Sequence, residues 1–217
     1  DRTFTLNGDP LIDVANRNRL GHGTPVAGLA ALGKLNHTNN FIDDVRADAK
    51  LLSIKISENG SGHISEIDLI KMLYEVKDKY PQIKTFTLTT CYNRFKNVNE
   101  DFSDYTFALD KFAYDTDSLI FICTGNNDDC INDNSTYDLT YFNSNNTNLC
   151  TPADSLNNFT VGAVGDNLIS GPFLGISTGR EFPALYTRKG HVDLSLLFPK
   201  NKTNKNYFKP DIVESGG

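Results

Sequence analysis

The stretch that decides the fold is Ser118 to Gly125, SLIFICTG. From Leu119 to Cys123 every residue is apolar, and the run stops at a glycine. A strand with one wet face alternates apolar and polar residues, whereas a strand covered on both faces runs apolar without a break. Downstream, NFTVGAV (Asn158 to Val164) reads the same way. Upstream, IKTFTLTT (Ile83 to Thr90) is rich in β-branched residues, and AKLLSIKI (Ala49 to Ile56) is a mostly apolar run closed by the breaker ENGSG.

Helical signals lie between these strands. Apolar residues recur at Ile64, Ile67, Ile70, Leu73, Tyr74 and Val76, near a helical period, and Pro81 follows. Ser65 with Asp68 three residues on resembles a capping box. Phe107 to Tyr114 reads as part of a second amphipathic helix. Alternating strands and helices predict an α/β fold: a three-layer, mostly parallel sheet with helices on both faces, in one domain over residues 1–217. Ile54, Leu88, Ile122 and Val161 are expected on buried strands. Asn126 to Asn148 is polar and irregular and reads as a long surface loop.

Composition narrows the function. With 217 residues, 39% hydrophobic and 22% charged, the chain is an ordinary globular one. A net charge of −6 and the lack of a Lys/Arg block exclude a nucleic-acid partner. Lys200 to Lys209, the densest basic stretch, is broken by Asn and Thr and reads as a solvated loop. No apolar run approaches bilayer-spanning length, so no membrane partner is expected. A sequence opening DRTF without Met and closing ESGG reads as an excised piece, so a missing signal peptide leaves the compartment open, secreted, periplasmic or cytoplasmic. Cys91, Cys123, Cys130 and Cys150 match no metal spacing. Cys130 and Cys150 bracket an Asn-rich loop and would pair in an oxidising compartment; otherwise all four are reduced thiols. Sequons at Asn134 and Asn158 carry little weight in so Asn-rich a chain.

In open parallel sheets, ligands gather beyond the carboxyl ends of the strands. Asn126 directly follows such an end. GHGTPVAGLAA (Gly21 to Ala31) sets His22 between two glycines at a helix start, with Thr24 as N-cap and Pro25 in the first helical position. The small residues after it suit close packing on a sheet. A lone histidine there would be an ordinary loop residue.

His22 has company, because the chain resembles the subtilisin-like serine peptidases (subtilases, peptidase family S8). GHGTPVAGLAA is similar to the family's His segment, with Pro25 where a second His usually stands. LLSIKISENGSGHISEIDLI is similar to its strand, Gly-Ser-Gly loop and helix, and IKTFTLTTCYN to the strand at the peptide-binding edge. LIFICTGNND resembles the strand ending in Gly-Asn, TPADSLNNFTVGAV the Pro-Ala to Thr-Val-Gly-Ala segment, and FKPDIVESGG the Lys-Pro-Asp segment before the nucleophile. These motifs stand in the family's order over nearly the whole chain.

The resemblance implies a subtilisin-like fold and an endopeptidase mechanism. His22 would be the general base that takes the nucleophile's proton and returns it to the leaving amine. The Asn126 amide would donate to the developing oxyanion, a role worth roughly 3–4 kcal/mol in such sites. An extended peptide or protein substrate would pair with Thr89, Thr90 and Cys91 on one side and with the Gly60-Ser61-Gly62 loop nearby. Cys91 stands where the family usually has glycine, so the groove wall there is bulkier.

Two parts of the family's machinery are absent from these residues. Its Gly-Thr-Ser nucleophile segment would follow Gly217, and Ser215, before Gly-Gly, does not fit that place. Asp1, Asp9 and Asp13 are the acidic residues upstream of His22, and the triad aspartate is expected before the sequence begins, with Asp9 left open. No metal site is expected; calcium is suggested by the resemblance alone, and no acidic cluster specifies a calcium loop. The rival reading is a non-catalytic pseudo-peptidase that binds extended peptides. A flavodoxin-like binding domain is the more distant alternative.

Overall fold

A computed structural model describes residues 3–4, 23–33, 47, 49–56, 64–92, 94–97, 100–127, 139–165, 182–190 and 208–215. The chain divides into two compact units, Asp1–Val76 and Lys77–Gly217.

In the first unit, β1 (Thr3–Phe4) and β2 (Ser53–Ile54) form a parallel pair, Thr3 opposite Ser53 and Phe4 opposite Ile54. The strand expected over Ala49 to Ile56 thus shrinks to two residues, because only there does it meet a described partner strand; Ile54 is half-buried. Helix α1 (Gly23–Leu32) starts one residue before the expected cap, so Thr24 lies within its first turn. It ends as helices commonly do, with Gly33 at φ +65 donating its N–H to Leu29 O at 2.9 Å. Leu29 is 67% exposed, and a Cβ at Gly28 would meet nothing within 4 Å.

Helix α2 (Glu66–Lys79) crosses the boundary between the units in sequence. Its start follows the expected pair, with a modification. Ser65 Oγ accepts the Asp68 N–H at 3.1 Å, and the Asp68 carboxylate takes the Ser65 hydroxyl at 2.5 Å. Leu69, Met72, Leu73 and Val76 recur on one stripe and are all buried. From the last turn of α2, buried Lys77 donates to the carbonyls of Pro81 and Ile83 beyond the helix, and burial holds its ammonium below its ordinary pKa.

The second unit is built on a mostly parallel, open five-stranded sheet. β3 (Thr85–Leu88) lies parallel to β4 (Leu119–Cys123), and β4 parallel to β5 (Phe159–Gly165). β5 is joined by β7 (Ile212–Ser215), again parallel, and over Val164 and Gly165 by the short antiparallel β6 (Phe182–Pro183). The register sets Phe86 opposite Ile120 and Leu88 opposite Ile122, and all four are buried on one face. That face receives α3 (Asp104–Asp115), which buries Tyr105, Leu109, Phe112 and Ala113 and sets Phe112 edge-on to Phe86 at 5.4 Å. On the other face Thr85 and Thr87 are exposed, while Phe121 stacks on Phe159 at 5.8 Å. Val161 is half-buried rather than buried. Gly162 admits no side chain: a Cβ there would lie 2.7 Å from Pro210 Cγ, and its absence lets the approach to β7 pass close over β5.

Ser103 caps α3 by accepting the Thr106 N–H at 3.0 Å. From α3, Asp110 then organises the turn before β5. Its carboxylate accepts the backbone N–H groups of Leu156 and Asn157, both at 3.0 Å, together with the Ser155 hydroxyl and the Asn158 amide. Asn158 is 3% exposed and passes this order on, its Oδ1 accepting the Ile120 N–H at 3.0 Å. The sequon there is a structural asparagine. Lys209 corrects a second expectation. It is buried, with Nζ on Asn158 O and the Asp211 carboxylate; the stretch before it, 200–207, lies outside the described residues.

Replacing Asp110 with Ala strands two backbone donors and two side-chain donors at once. The expected loss is about 2–3 kcal/mol, with Asp110→Asn intermediate. Urea unfolding would register it as a lower midpoint at unchanged slope; an unchanged midpoint would contradict the role given to this carboxylate.

Candidate active site

The carboxyl ends of β3 and β4 carry the described part of the site. β3 stops at Leu88, and Thr89, Thr90 and Cys91 follow as a half-buried segment that has left the ladder. Beyond them the chain is stitched antiparallel to residues 149–151: Tyr92 N donates to Thr151 O at 2.8 Å and Lys96 N to Leu149 O at 2.8 Å. Cys150 N in turn donates to Thr124 O at 3.2 Å, so the 149–151 segment ties the exit of β3 to the exit of β4. Beneath this seam Asp154 accepts from Thr106 of α3 and pairs with Lys96.

β4 leaves the sheet through a turn that only glycine can make. Gly125 has φ +84, and a Cβ on it would lie 2.9 Å from both Cβ and Sγ of Cys150. Asn126 follows with its residue exposed, while Asn127 is buried. The Asn127 N–H donates to Tyr186 O at 2.9 Å and its amide nitrogen to the Tyr141 hydroxyl at 2.6 Å. Its Oδ1 is buried without a hydrogen-bond partner.

Arg188 braces the turn from behind. It is 5% exposed; Nε donates to Asn126 O at 2.9 Å, and Nη1 to Asn146 O at 2.6 Å and Asn148 O at 3.1 Å. A guanidinium cannot shed its proton, so a buried one must be met by acceptors, and here three main-chain carbonyls meet it. The end of the predicted surface loop is therefore interior: Thr147 and Asn148 are buried, next to 3-10 turns at Leu139–Asn143 and Asn145–Thr147.

Three cysteines converge on this edge. Cys91 Sγ lies 3.1 Å from Cys123 O and 3.4 Å from Cys123 Sγ. The hydrogen bond from Cys91 lowers the Cys123 thiol to about 7, whereas the same contact, then burial, holds Cys91 well above the usual thiol range. Cys150 is a buried thiol packed against Gly125, and Cys130 lies outside the described residues.

The structure thus brings Asn126 and the Thr89-Thr90-Cys91 segment to one edge of the sheet. His22 and the Gly60-Ser61-Gly62 loop lie outside the described residues, as do Asp1, Asp9 and Asp13. Ser215 ends β7 with its hydroxyl enclosed and unbonded. Among the described residues no group of three or more His, Cys, Asp or Glu side chains could hold a metal ion. Arg188, Cys123, Cys150 and Asn127 were not singled out in the sequence as site residues. A lone Arg in YTRKG carries no periodic or motif signal; its partners are carbonyls about forty to sixty residues earlier.

The subtilase-family model matches residues 6–217. The chain belongs to the subtilase family. No curated protein matches it. Among solved structures the subtilase chain is similar to the S218A mutant of the protease domain of PatA, at 14% identity and TM-score 0.47, covering 81% of this chain and 55% of that one. It is also similar to the prenylagaramide maturation protease PagA, at 16% and 0.43, covering 76% and 46%. The MycP3 protease from the type VII (ESX-3) secretion system gives 22% and 0.41, covering 79% and 50%. The subtilase chain spans about half the length of these solved structures.

Gly125→Ala tests whether the turn presenting Asn126 is as tightly constrained as it looks. Strain at positive φ and the clash with Cys150 together predict a loss of about 2–4 kcal/mol. Cys150→Ala on that background removes the sulfur but neither the Cβ contact nor the strain, so it should restore only part of the loss in thermal unfolding. Full stability in Gly125→Ala would refute the constraint.

Proposed function

We propose that this chain is part of a serine endopeptidase domain that cuts peptide bonds in extended peptide or protein substrates. His22 serves as general base and Asn126 as oxyanion donor. On this reading Ser215 is not the nucleophile, and Asp9 stays open as the orienting aspartate. The observation that carries the reading is the Asn126 turn, in a chain of a serine-peptidase family. The residue is exposed just past the end of β4, on backbone fixed by Gly125 and Arg188, and beside the segment that would pair with substrate. Electrostatic stabilisation of an oxyanion depends on a donor that need not reorganise during the reaction, and a braced turn supplies that. Thr89, Thr90 and Cys91 have left the β3 ladder, which suits them to hydrogen-bond an added strand.

On this reading the 217 residues alone hydrolyse no peptide, while a chain extended through both flanking segments reacts with a serine-directed phosphonate. Within the extended chain His22→Ala is expected to lower turnover by several orders of magnitude, because base and nucleophile act as a unit. Asn126→Ala is expected to cost about 10²- to 10³-fold in kcat with little change in KM. Comparable hydrolysis by the short chain would place the nucleophile inside it. An extended chain that binds peptide, resists the phosphonate and cuts nothing would make the domain a non-catalytic peptide binder.

A further inference from the structure

We propose that Cys91 and Cys123 form a site of reversible disulfide modification at the carboxyl edge of the sheet, oxidised by a hydroperoxide and reopened by a dithiol. Their sulfurs stand 3.4 Å apart. A disulfide bond is about 2.05 Å long, so closure requires a movement of roughly 1.4 Å. The two residues are well placed to supply it. Cys123 is the last residue of β4 and is fixed by pairing with Val161 of β5. Cys91 lies beyond the last β3 residue, outside the ladder, and can approach while the sheet stays as it is.

The neighbours fit the chemistry. Contact with Cys123 and burial hold the Cys91 thiol protonated, with Cys150 adding to them and the positive charge of Arg188 opposing them only in part, so Cys91 keeps its proton until the bond closes. Cys123 is the easier of the pair to deprotonate, since at 3.4 Å the Cys91 thiol can donate to the Cys123 thiolate. The Cys123 thiolate attacks one oxygen of hydrogen peroxide; a sulfur–oxygen bond forms, the oxygen–oxygen bond breaks, and the departing hydroxide takes up a proton to become water. Cys91 sulfur then attacks Cys123 sulfur; the sulfur–sulfur bond forms, and the hydroxyl leaves as water with the Cys91 proton. Two electrons pass from the sulfurs to the peroxide. A dithiol returns them by exchange through a mixed disulfide.

The consequence for substrate rests on the proposed peptide edge. Tethering Cys91 to β4 pulls the exit of β3 toward Asn126 and alters the wall on which an extended peptide would pair. Bond formation itself needs no peptide, so the two claims fail separately.

The test starts from fully reduced chain treated with hydrogen peroxide, followed by alkylation of remaining thiols and peptide mapping by mass spectrometry. The expected product is a Cys91–Cys123 cross-linked peptide that loses two hydrogens, disappears with dithiothreitol, and persists in Cys150→Ala. In Cys123→Ser, Cys91 should remain open to alkylation. A Cys123 sulfinic acid beside an unmodified Cys91, or a bond formed instead by Cys130 or Cys150, overturns the proposal. Peptide affinity compared before and after oxidation, with Cys91→Ser as a variant that cannot close, reads the consequence: a several-fold change in wild type and none in the variant. Equal affinities with the bond formed would overturn the effect on substrate and leave the modification site standing.

Discussion

Strand β4 is the constraint from which the rest follows. Ile120 and Ile122 are buried, and no backbone amide can be left without a partner in such a place. Each edge of the strand must therefore be paired: β3 takes one and β5 the other. Where β5 has not yet begun, the Asn158 side chain stands in and accepts the Ile120 N–H, so a polar side chain completes the strand's hydrogen bonding. Asp110 of α3 holds that asparagine in place, which links the helix covering one face to the pairing of the strand beneath it. The same strand fixes the site. Its carboxyl end sets where Cys123 stops and where the Gly125 turn must begin, and so where Asn126 emerges.

Beyond that end the chemistry changes from apolar packing to the satisfaction of one buried charge. Arg188 gathers carbonyls from the β4 exit and from the segment before Cys150, drawing two stretches far apart in sequence into one wall. Hydrogen bonds between a cation and main-chain carbonyls hold backbone rather than side-chain positions. That suits a site in which a peptide edge and an amide donor must keep a fixed spacing while side chains around them vary.

Much of this was legible in local pattern. The apolar run of SLIFICTG gave β4 to within a residue, the glycine at its end marked the turn, and Ser65 with Asp68 marked the start of α2. The pattern failed where a residue's fate depends on a distant partner. Lys209 sits in a solvated-looking Lys/Asn stretch, yet Asp211 and a carbonyl 51 residues earlier take it inside. Asn148 looked like loop and is interior because Arg188 and Lys189 bond to it. The meeting of Cys91 with Cys123 follows from strand register, which no composition encodes: Leu88 opposite Ile122 puts both exits side by side. Ala49 to Ile56 had the composition of a strand and found a described neighbour over two residues only.

Asn158 carries one more implication, for how this protein can be made. It lies in an Asn-Phe-Thr sequon, and in the folded chain its side-chain nitrogen is already committed to Asp110 and Ser155 inside the protein. An oligosaccharide on that nitrogen and the native turn are mutually exclusive. In a host whose secretory pathway attaches glycans to nascent chains, folding of this turn would race the transferase, and each molecule glycosylated first would be barred from closing β5 onto β4. A compartment without such a transferase imposes no race, and there the sequon is only a spelling.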